Sequence, residues 1–170
     1  RLGGALLAGD ATVDGDRVYV LGAAGMLSCL NAETGERIWQ IDTGTEYDTT
    51  VPVYGVSNAP LVEGNLLIAV VGGFPDAKLV AFDKATGEEA WRALEMTSEP
   101  GYSSPIVINA GGARQLIFWH ATALTSLNPE TGEIYWEQEF VLDNGLSITT
   151  PVRSGQYLVT SQFRNGSMMM

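Results

Sequence analysis

Leu30-Asn31-Ala32-Glu33-Thr34-Gly35-Glu36-Arg37-Ile38-Trp39 returns as Phe82-Asp83-Lys84-Ala85-Thr86-Gly87-Glu88-Glu89-Ala90-Trp91, and again as Leu127-Asn128-Pro129-Glu130-Thr131-Gly132-Glu133-Ile134-Tyr135-Trp136. Each copy runs an apolar residue, Asn or Asp, two variable positions, Thr-Gly-Glu, two more variable positions and Trp, with nothing inserted. A spaced repeat of this kind marks a protein built from recurring supersecondary units. The pattern also has a local physical meaning. Asn31, Asp83 and Asn128 carry side-chain oxygens that accept from their own backbone about two residues on, which starts a bend. Gly35, Gly87 and Gly132 supply the positive φ at the bulge that closes a longer hairpin. The Thr hydroxyl can satisfy a turn amide.

Working outward, Trp39, Trp91 and Trp136 stand 52 and 45 residues apart. A second marker runs in phase: Thr12-Val13, Pro60-Leu61-Val62, Pro105-Ile106-Val107 and Pro151-Val152 open comparable segments 48, 45 and 46 residues apart. A period in the mid-forties is the size of one four-stranded propeller blade. Within the first unit, Ala11–Val13, Arg17–Leu21, Met26–Leu30 and Glu36–Ile41 read as strands separated by turn residues. The second reads as strands over Ser57–Val62, Leu66–Val71, Lys78–Phe82 and Glu88–Leu94. The third reads as strands over Ser103–Ile108, Gln115–His120 and Thr122–Leu127, then the third motif. The fourth has Ser147–Val152, Gln156–Thr160 and, after an Asn165-Gly166 hairpin signal, Ser167–Met170. The reading is therefore all-β: a partial β-propeller of about four four-stranded antiparallel blades over 8–45, 57–96, 103–140 and 147–170, all within one propeller segment, 1–170. The last blade stops before a fourth motif is due. A closed ring of eight at this period needs about 370 residues, so the chain reads as an excerpt of a longer propeller whose remaining blades are its first partners.

Composition narrows the function. The 170 residues are 45% hydrophobic and 17% charged, with 20 glycines, which favours short strands and tight turns in a folded protein. A formal net charge of −11 repels phosphate backbones and anionic membrane surfaces. No apolar run approaches the roughly 18 residues of a membrane span. The opening Arg1-Leu2-Gly3-Gly4-Ala5-Leu6-Leu7-Ala8 reads as interior protein and not as a leader. The single cysteine, Cys29, lies in an apolar run and reads as a buried, inert thiol.

The Asx-x-x-Thr-Gly-Glu-x-x-Trp repeat resembles the tryptophan-docking motif of quinoprotein-type, PQQ-like β-propeller repeats. That family spans the PQQ-dependent alcohol dehydrogenases and the non-catalytic BamB-like repeat proteins. The resemblance covers the chain in phase. It implies an eight-bladed propeller in which Trp39, Trp91 and Trp136 lie on outer strands, stacked between blades, where each would bury roughly 200 Å². In the enzymes it implies PQQ over the central axis beside calcium, with an Asp base and a disulfide between adjacent cysteines. This sequence has no adjacent cysteine pair, and no segment matches the calcium ligands or the catalytic Asp. No catalytic, cofactor-binding or metal-ligating residue is assigned, and PQQ and calcium belong only to the enzyme alternative.

Candidate chemistry then falls to loops. The only histidine, His120, reads as a structural residue at a strand end, and one histidine cannot build a His-based metal cluster. Propeller topology places the fourth-to-first connections on the same face as the second-to-third loops. That face would gather Asp42, Glu46, Tyr47, Asp48, Tyr54, Phe74, Asp76, Glu99, Tyr102 and Asp143, aromatics with carboxylates suited to a peptide, a sugar or a partner protein. Tyr47, Asp48, Tyr54, Phe74, Asp76 and Tyr102 are the candidate contact residues, against the plainer reading of ordinary polar loops. Asp42, Glu46 and Asp48 are the carboxylates available to Ca²⁺, without EF-hand spacing. The functional expectation is a non-catalytic propeller scaffold in a bacterial envelope or periplasm. The alternatives are a fragment of a PQQ-dependent dehydrogenase and a propeller sensor domain of a signalling protein. The docking reading predicts that Trp91→Ala destabilises by about 3–5 kcal/mol, measured by chemical melting; a trivial shift counts against it.

Overall fold

The computed structural model describes residues 10–95 and 97–170. The opening stretch read above as interior protein lies outside them, as does Met96. The chain divides after Thr97 into two compact units.

The first unit holds two antiparallel meanders. One is β1 (Thr12–Asp14), β2 (Arg17–Leu21), β3 (Met26–Asn31) and β4 (Arg37–Asp42). A short helix, α1 (Thr43–Tyr47), follows. The other is β5 (Leu61–Glu63), β6 (Leu66–Val70), β7 (Leu79–Asp83) and β8 (Glu89–Ala93). The second unit repeats the plan with β9 (Ile106–Ala110), β10 (Ala113–Trp119), β11 (Ala123–Leu127) and β12 (Ile134–Glu139). A 3-10 turn, Asp143–Gly145, leads to the three-stranded β13 (Val152–Ser154), β14 (Tyr157–Gln162) and β15 (Gly166–Met169). In every sheet, sequence neighbours are sheet neighbours, the wiring of propeller blades. The fold is all-β and propeller-type.

Two expectations are corrected. The first strand of the later blades is shorter than the β-rich run suggests: β5, β9 and β13 begin at Leu61, Ile106 and Val152, each directly after a proline. Proline has no N–H to give the ladder, so the preceding Ser-rich run stays outside the sheet. The connection after β4, read as a loop, contains α1. Asp42 caps it by accepting from Gly44 N at 3.1 Å and Thr45 N at 3.4 Å. A five-residue helix is too short to show a 3.6-residue period.

The repeated turn is built the same way each time. Asn31 Oδ1 accepts from Glu33 N (2.9 Å) and Thr34 N (2.8 Å), and Asp83 Oδ1 accepts from Ala85 N (2.8 Å) and Thr86 N (2.9 Å). Asn128 Oδ1 accepts from Glu130 N at 2.8 Å. Gly35, Gly87 and Gly132 have φ of 71°, 80° and 74°. Each donates to the carbonyl of the Asx residue four back, at 2.8–2.9 Å. The Thr hydroxyls accept from Glu36 N, Glu88 N and Glu133 N. Two backbone amides hold the Asp83 carboxyl below its ordinary value. Three residues beyond each glycine, the register slips by one: Leu30 faces Arg37 and Cys29 faces Trp39, with Ile38 left over. The same slip recurs before Trp91 and Trp136. This second bulge, which sequence reading did not separate from the glycine bulge, turns each Trp onto the face of its third-strand partner.

For Trp39 that face is the core of the first unit. Tyr19, Leu21, Leu27 and Cys29 from one sheet pack against Leu67, Ala69, Val71, Val80 and Phe82 from the other, with Trp39 and Ile41 alongside. These are alternate residues of their strands, as a half-buried sheet face requires. In the second unit Ile117, Trp119 and Leu124 pack with Leu142 and Leu158, and Trp119 stacks on Phe140 at 5.8 Å between centroids.

The motif's glycines differ in what surrounds them. A Cβ on Gly87 would lie 3.0 Å from Cδ2 of Trp39, whereas one on Gly35 would meet nothing within 4 Å. Gly35→Ala is therefore expected to cost only the left-handed strain, about 1–2 kcal/mol. Gly87→Ala adds a displaced indole, about 1–3 kcal/mol more. Urea melts of the two variants check this, and equal losses would refute the stacking contribution.

Candidate functional site

In the first unit, three of the candidate loop residues come together. Tyr47, the last residue of α1, accepts a hydrogen bond from Phe74 N to its carbonyl at 2.9 Å, and its Cβ lies against the backbone of Gly73. Its ring packs edge-on against Phe82 at 6.1 Å. Its hydroxyl donates to Glu89 Oε2 at 2.9 Å. Arg92 grips Glu89 with Nε at 2.8 Å and Nη2 at 2.7 Å, stands over the Tyr47 ring at 5.2 Å, and reaches Asp76 at 3.9 Å. The fork from Arg92 holds the Glu89 carboxyl below its ordinary value, while burial and the bond to Glu89 push the Tyr47 phenol up. Tyr47 is thus only 7% exposed, and its polar tip is engaged. Its expected role as a surface contact is corrected: α1 folds it inward because the apolar ring gains more from Phe82 than from solvent.

The other candidates are dispersed. Asp48 is exposed in the left-handed region at the end of α1, with φ 52°. Tyr54 is 71% exposed. Phe74 is half-buried, and Asp76 is exposed beside Arg92. In the second unit Tyr102 is half-buried and its backbone N donates to Ser147 O at 2.9 Å. Glu99 and Asp143 are exposed, and Asp143 N donates to Asn165 Oδ1 at 3.1 Å.

The carboxylates Asp42, Glu46 and Asp48 do not assemble as a calcium set. Both oxygens of Asp42 are turned to α1, Oδ1 to two amides and Oδ2 to the Thr45 hydroxyl at 3.2 Å. Among the described residues no three His, Cys, Asp or Glu side chains converge as metal ligands.

Two residues stand out that sequence reading passed over or left unspecified. Lys78 is fully buried, its Nζ 3.3 Å from Gly72 O and 3.4 Å from the centre of the Phe74 ring. Burial holds its ammonium below the ordinary value. The signal was present: Lys78, Val80 and Phe82 alternate, and the last two face the core. His120 is 2% exposed. Its Nε2 is 2.8 Å from Thr125 Oγ1, which donates to Glu137 at 2.9 Å, and its Nδ1 is 3.2 Å from Thr122 Oγ1. Since the Thr125 hydrogen goes to Glu137, Nε2 is the imidazole donor and Nδ1 the acceptor, the neutral tautomer. Burial lowers its pKa to about 4, against a smaller opposing pull from Glu137. Cys29 is buried, with its thiol pushed up chiefly by desolvation. No helix among the described residues is long and apolar enough to cross a membrane.

A family model described as outer membrane protein assembly factor BamB matches residues 2–170, and the chain belongs to that family of PQQ-like repeats. It is 28% identical over 156 residues to the quinoprotein alcohol dehydrogenase PedH of Pseudomonas putida, covering 82% of this chain and 25% of that protein. It is 25% identical over 166 residues to outer membrane protein assembly factor BamB of Burkholderia pseudomallei, covering 78% of this chain and 42% of that protein. The chain therefore spans less than half the length of either relative. Among solved structures it is similar in fold to BamB of Moraxella catarrhalis, with a TM-score of 0.63 at 20% identity over 89% of this chain and 42% of that one.

His120 makes stability depend on pH. The folded pKa of about 4 lies below the unfolded value near 6.5, so the unfolded chain takes up the proton first. The neutral form's stabilisation is complete above pH 6.5 and is lost as the pH falls through that window towards 4, by about 3 kcal/mol in all. Melts between pH 7 and 4 should show this slope, and His120→Gln should flatten it.

Proposed function

We propose that this chain is a non-catalytic propeller segment acting as a rigid interaction scaffold in a bacterial cell envelope. The observation that carries the reading is how the polar side chains are used. Glu89, Arg92 and Tyr47 bond to one another, Asp42 caps α1, and His120 is buried in a closed Thr122–Thr125–Glu137 network. These groups brace loops and hold no geometry aimed at a reacting atom. The Trp residues are proposed to serve as docks between blades. Trp39 sets the pattern, its indole on Gly87 and its Nε1 3.3 Å from Lys84 O. The contact surface for a partner is proposed to be the exposed loop residues Asp48, Tyr54 and Asp76 of the first unit; the half-buried Tyr102 of the second unit is proposed separately as a contact. Membership of a family described as outer membrane protein assembly factor BamB, and similarity to a relative of that name, support both the envelope location and a protein partner.

A dehydrogenase fragment is the second reading, supported by the relative named as a quinoprotein alcohol dehydrogenase. The two are separated by titrating the purified full-length protein with PQQ and Ca²⁺ while following absorbance. The scaffold reading expects no saturable change; saturable binding at micromolar PQQ would establish the second. For the partner surface, Tyr54→Ala with Asp48→Asn, an amide that tolerates the left-handed region, is expected to retain the β circular-dichroism spectrum and to weaken capture of envelope proteins by cross-linking at least several-fold.

A further inference from the structure

The core of the second unit carries hydrogen-bonding side chains at positions that are apolar in the first. Among the described residues, five buried side-chain polar atoms have no hydrogen-bond partner, and all belong to this unit: Ser98 Oγ, Trp119 Nε1, Ser147 Oγ, Thr160 Oγ1 and Gln162 Nε2. Three of them lie on the facing surfaces of the two sheets. Trp119 ends β10, and Leu158 on β14 packs in one cluster with Trp119 and Ile117. Thr160 and Gln162 follow Leu158 by two and four residues, so they share its face. They are 3% and 4% exposed, and Trp119 is fully buried. The same end of the seam is closed by Leu142 in that cluster and by the bond from Asp143 N to Asn165 Oδ1.

Strand registers give the counterparts in the first unit. Trp119 holds the position of Leu21, and Thr160 and Gln162 hold those of Ala69 and Val71. Leu21, Ala69 and Val71 belong to one apolar core cluster. The exchange of all three for hydrogen-bonding residues converts a dry contact into one that needs a partner, because buried polar groups are strongly selected to be bonded.

The chemistry of that partner follows from the donors. An indole N–H can only donate. The Gln162 amide is fixed in orientation, since its Oε1 already accepts from Arg164 N at 2.6 Å and Asn165 N at 2.7 Å. Its NH₂ is therefore the free end, and the Thr160 hydroxyl can donate or accept. The seam offers donors from two sheets and no charge among these three groups, which suits a neutral acceptor and not an anion. We propose that the seam between β10 and β14 is a buried water site, with at least one long-lived water accepting from Trp119 Nε1 and linking it to Thr160 and Gln162. Buried waters occur at about one per 27 residues and usually bridge such orphaned groups.

Water-selective NOE and rotating-frame NOE spectra of the ¹⁵N-labelled protein test this at the indole N–H groups, with Trp119→Phe identifying the peak. The Trp119 N–H is expected to show a direct cross-peak to water with the sign of a long-residence contact. Trp39 and Trp136, whose N–H groups donate to Lys84 O and Gln115 Oε1, are expected to lack it. Thr160→Ala with Gln162→Val, the first unit's residues, should abolish the Trp119 peak. Absence of the peak in the unaltered protein overturns the proposal, whether or not the variants fold. So does a crystal structure in which Nε1 bonds directly to Thr160 or Gln162, or in which density larger than water fills the seam.

Discussion

One backbone carbonyl, that of Lys84, organises the joint between the two sheets of the first unit. Arg17 Nη1, Tyr19 OH and Trp39 Nε1 all point at it, at 3.2, 3.1 and 3.3 Å. A carbonyl oxygen has two lone pairs, so three donors must share it, and none of the three bonds is short. The joint is redundant for that reason: the carbonyl stays satisfied if one donor swings away, and each donor is held in place by something else. Arg17 also reaches Ala85 O at 2.9 Å, Tyr19 lies 6.1 Å from Trp39, and Trp39 rests on Gly87. Lys84 itself is pinned by its ammonium, 2.6 Å from Asp14 Oδ2, and by its N–H to Asn65 O. The turn that presents this carbonyl is the one whose Asx cap and glycine recur through the chain. Its local hydrogen bonds therefore have a tertiary consequence: they hold a carbonyl where the preceding sheet can reach it.

The second unit shows that one motif can be wired differently. Gln115 occupies the register of Arg17, one residue before the partner of the motif's first apolar residue. It does not reach outward. Its Oε1 accepts from Trp136 Nε1 at 3.0 Å and Ser126 Oγ at 2.8 Å, and its Nε2 donates to Ala110 O at 2.9 Å. The third tryptophan is thus satisfied within its own sheet, while the first bonds to the next. The apolar body of the indole is what the repeat conserves internally; the destination of its N–H depends on one neighbouring side chain.

Much of the fold could be read before any coordinates. Alternation and turn chemistry placed nearly every strand because both are set by residues within a few positions of one another. The Asx–Thr–Gly turn and its positive-φ glycine followed from the same local logic. What escaped was short or conditional. α1 has five residues and one cap. The strand starts after Pro60, Pro105 and Pro151 were overrun because β propensity is blind to a missing donor. The second bulge beside each Trp has no residue signature, since Ile38, Ala90 and Tyr135 share no chemistry. The candidate site was legible as a set of loops and not as a set of contacts. Tyr47 lay in a polar stretch, and nothing local showed that its ring would meet Phe82, 35 residues on.

By itself, then, the sequence determined the repeat, the turn at its centre, the antiparallel order of strands and the family to which they belong, because each depends on short-range backbone chemistry repeated in phase. Only the tertiary structure decided which polar groups remain available. Tyr47 is drawn to Glu89, 42 residues away, Lys78 is sealed beneath Phe74, and His120 is held neutral by burial against two threonines. Thr160 Oγ1 and Gln162 Nε2 need partners only because packing buries them. Burial and pairing are properties of what lies across a seam, and a residue's neighbours along the chain do not specify its neighbours across it.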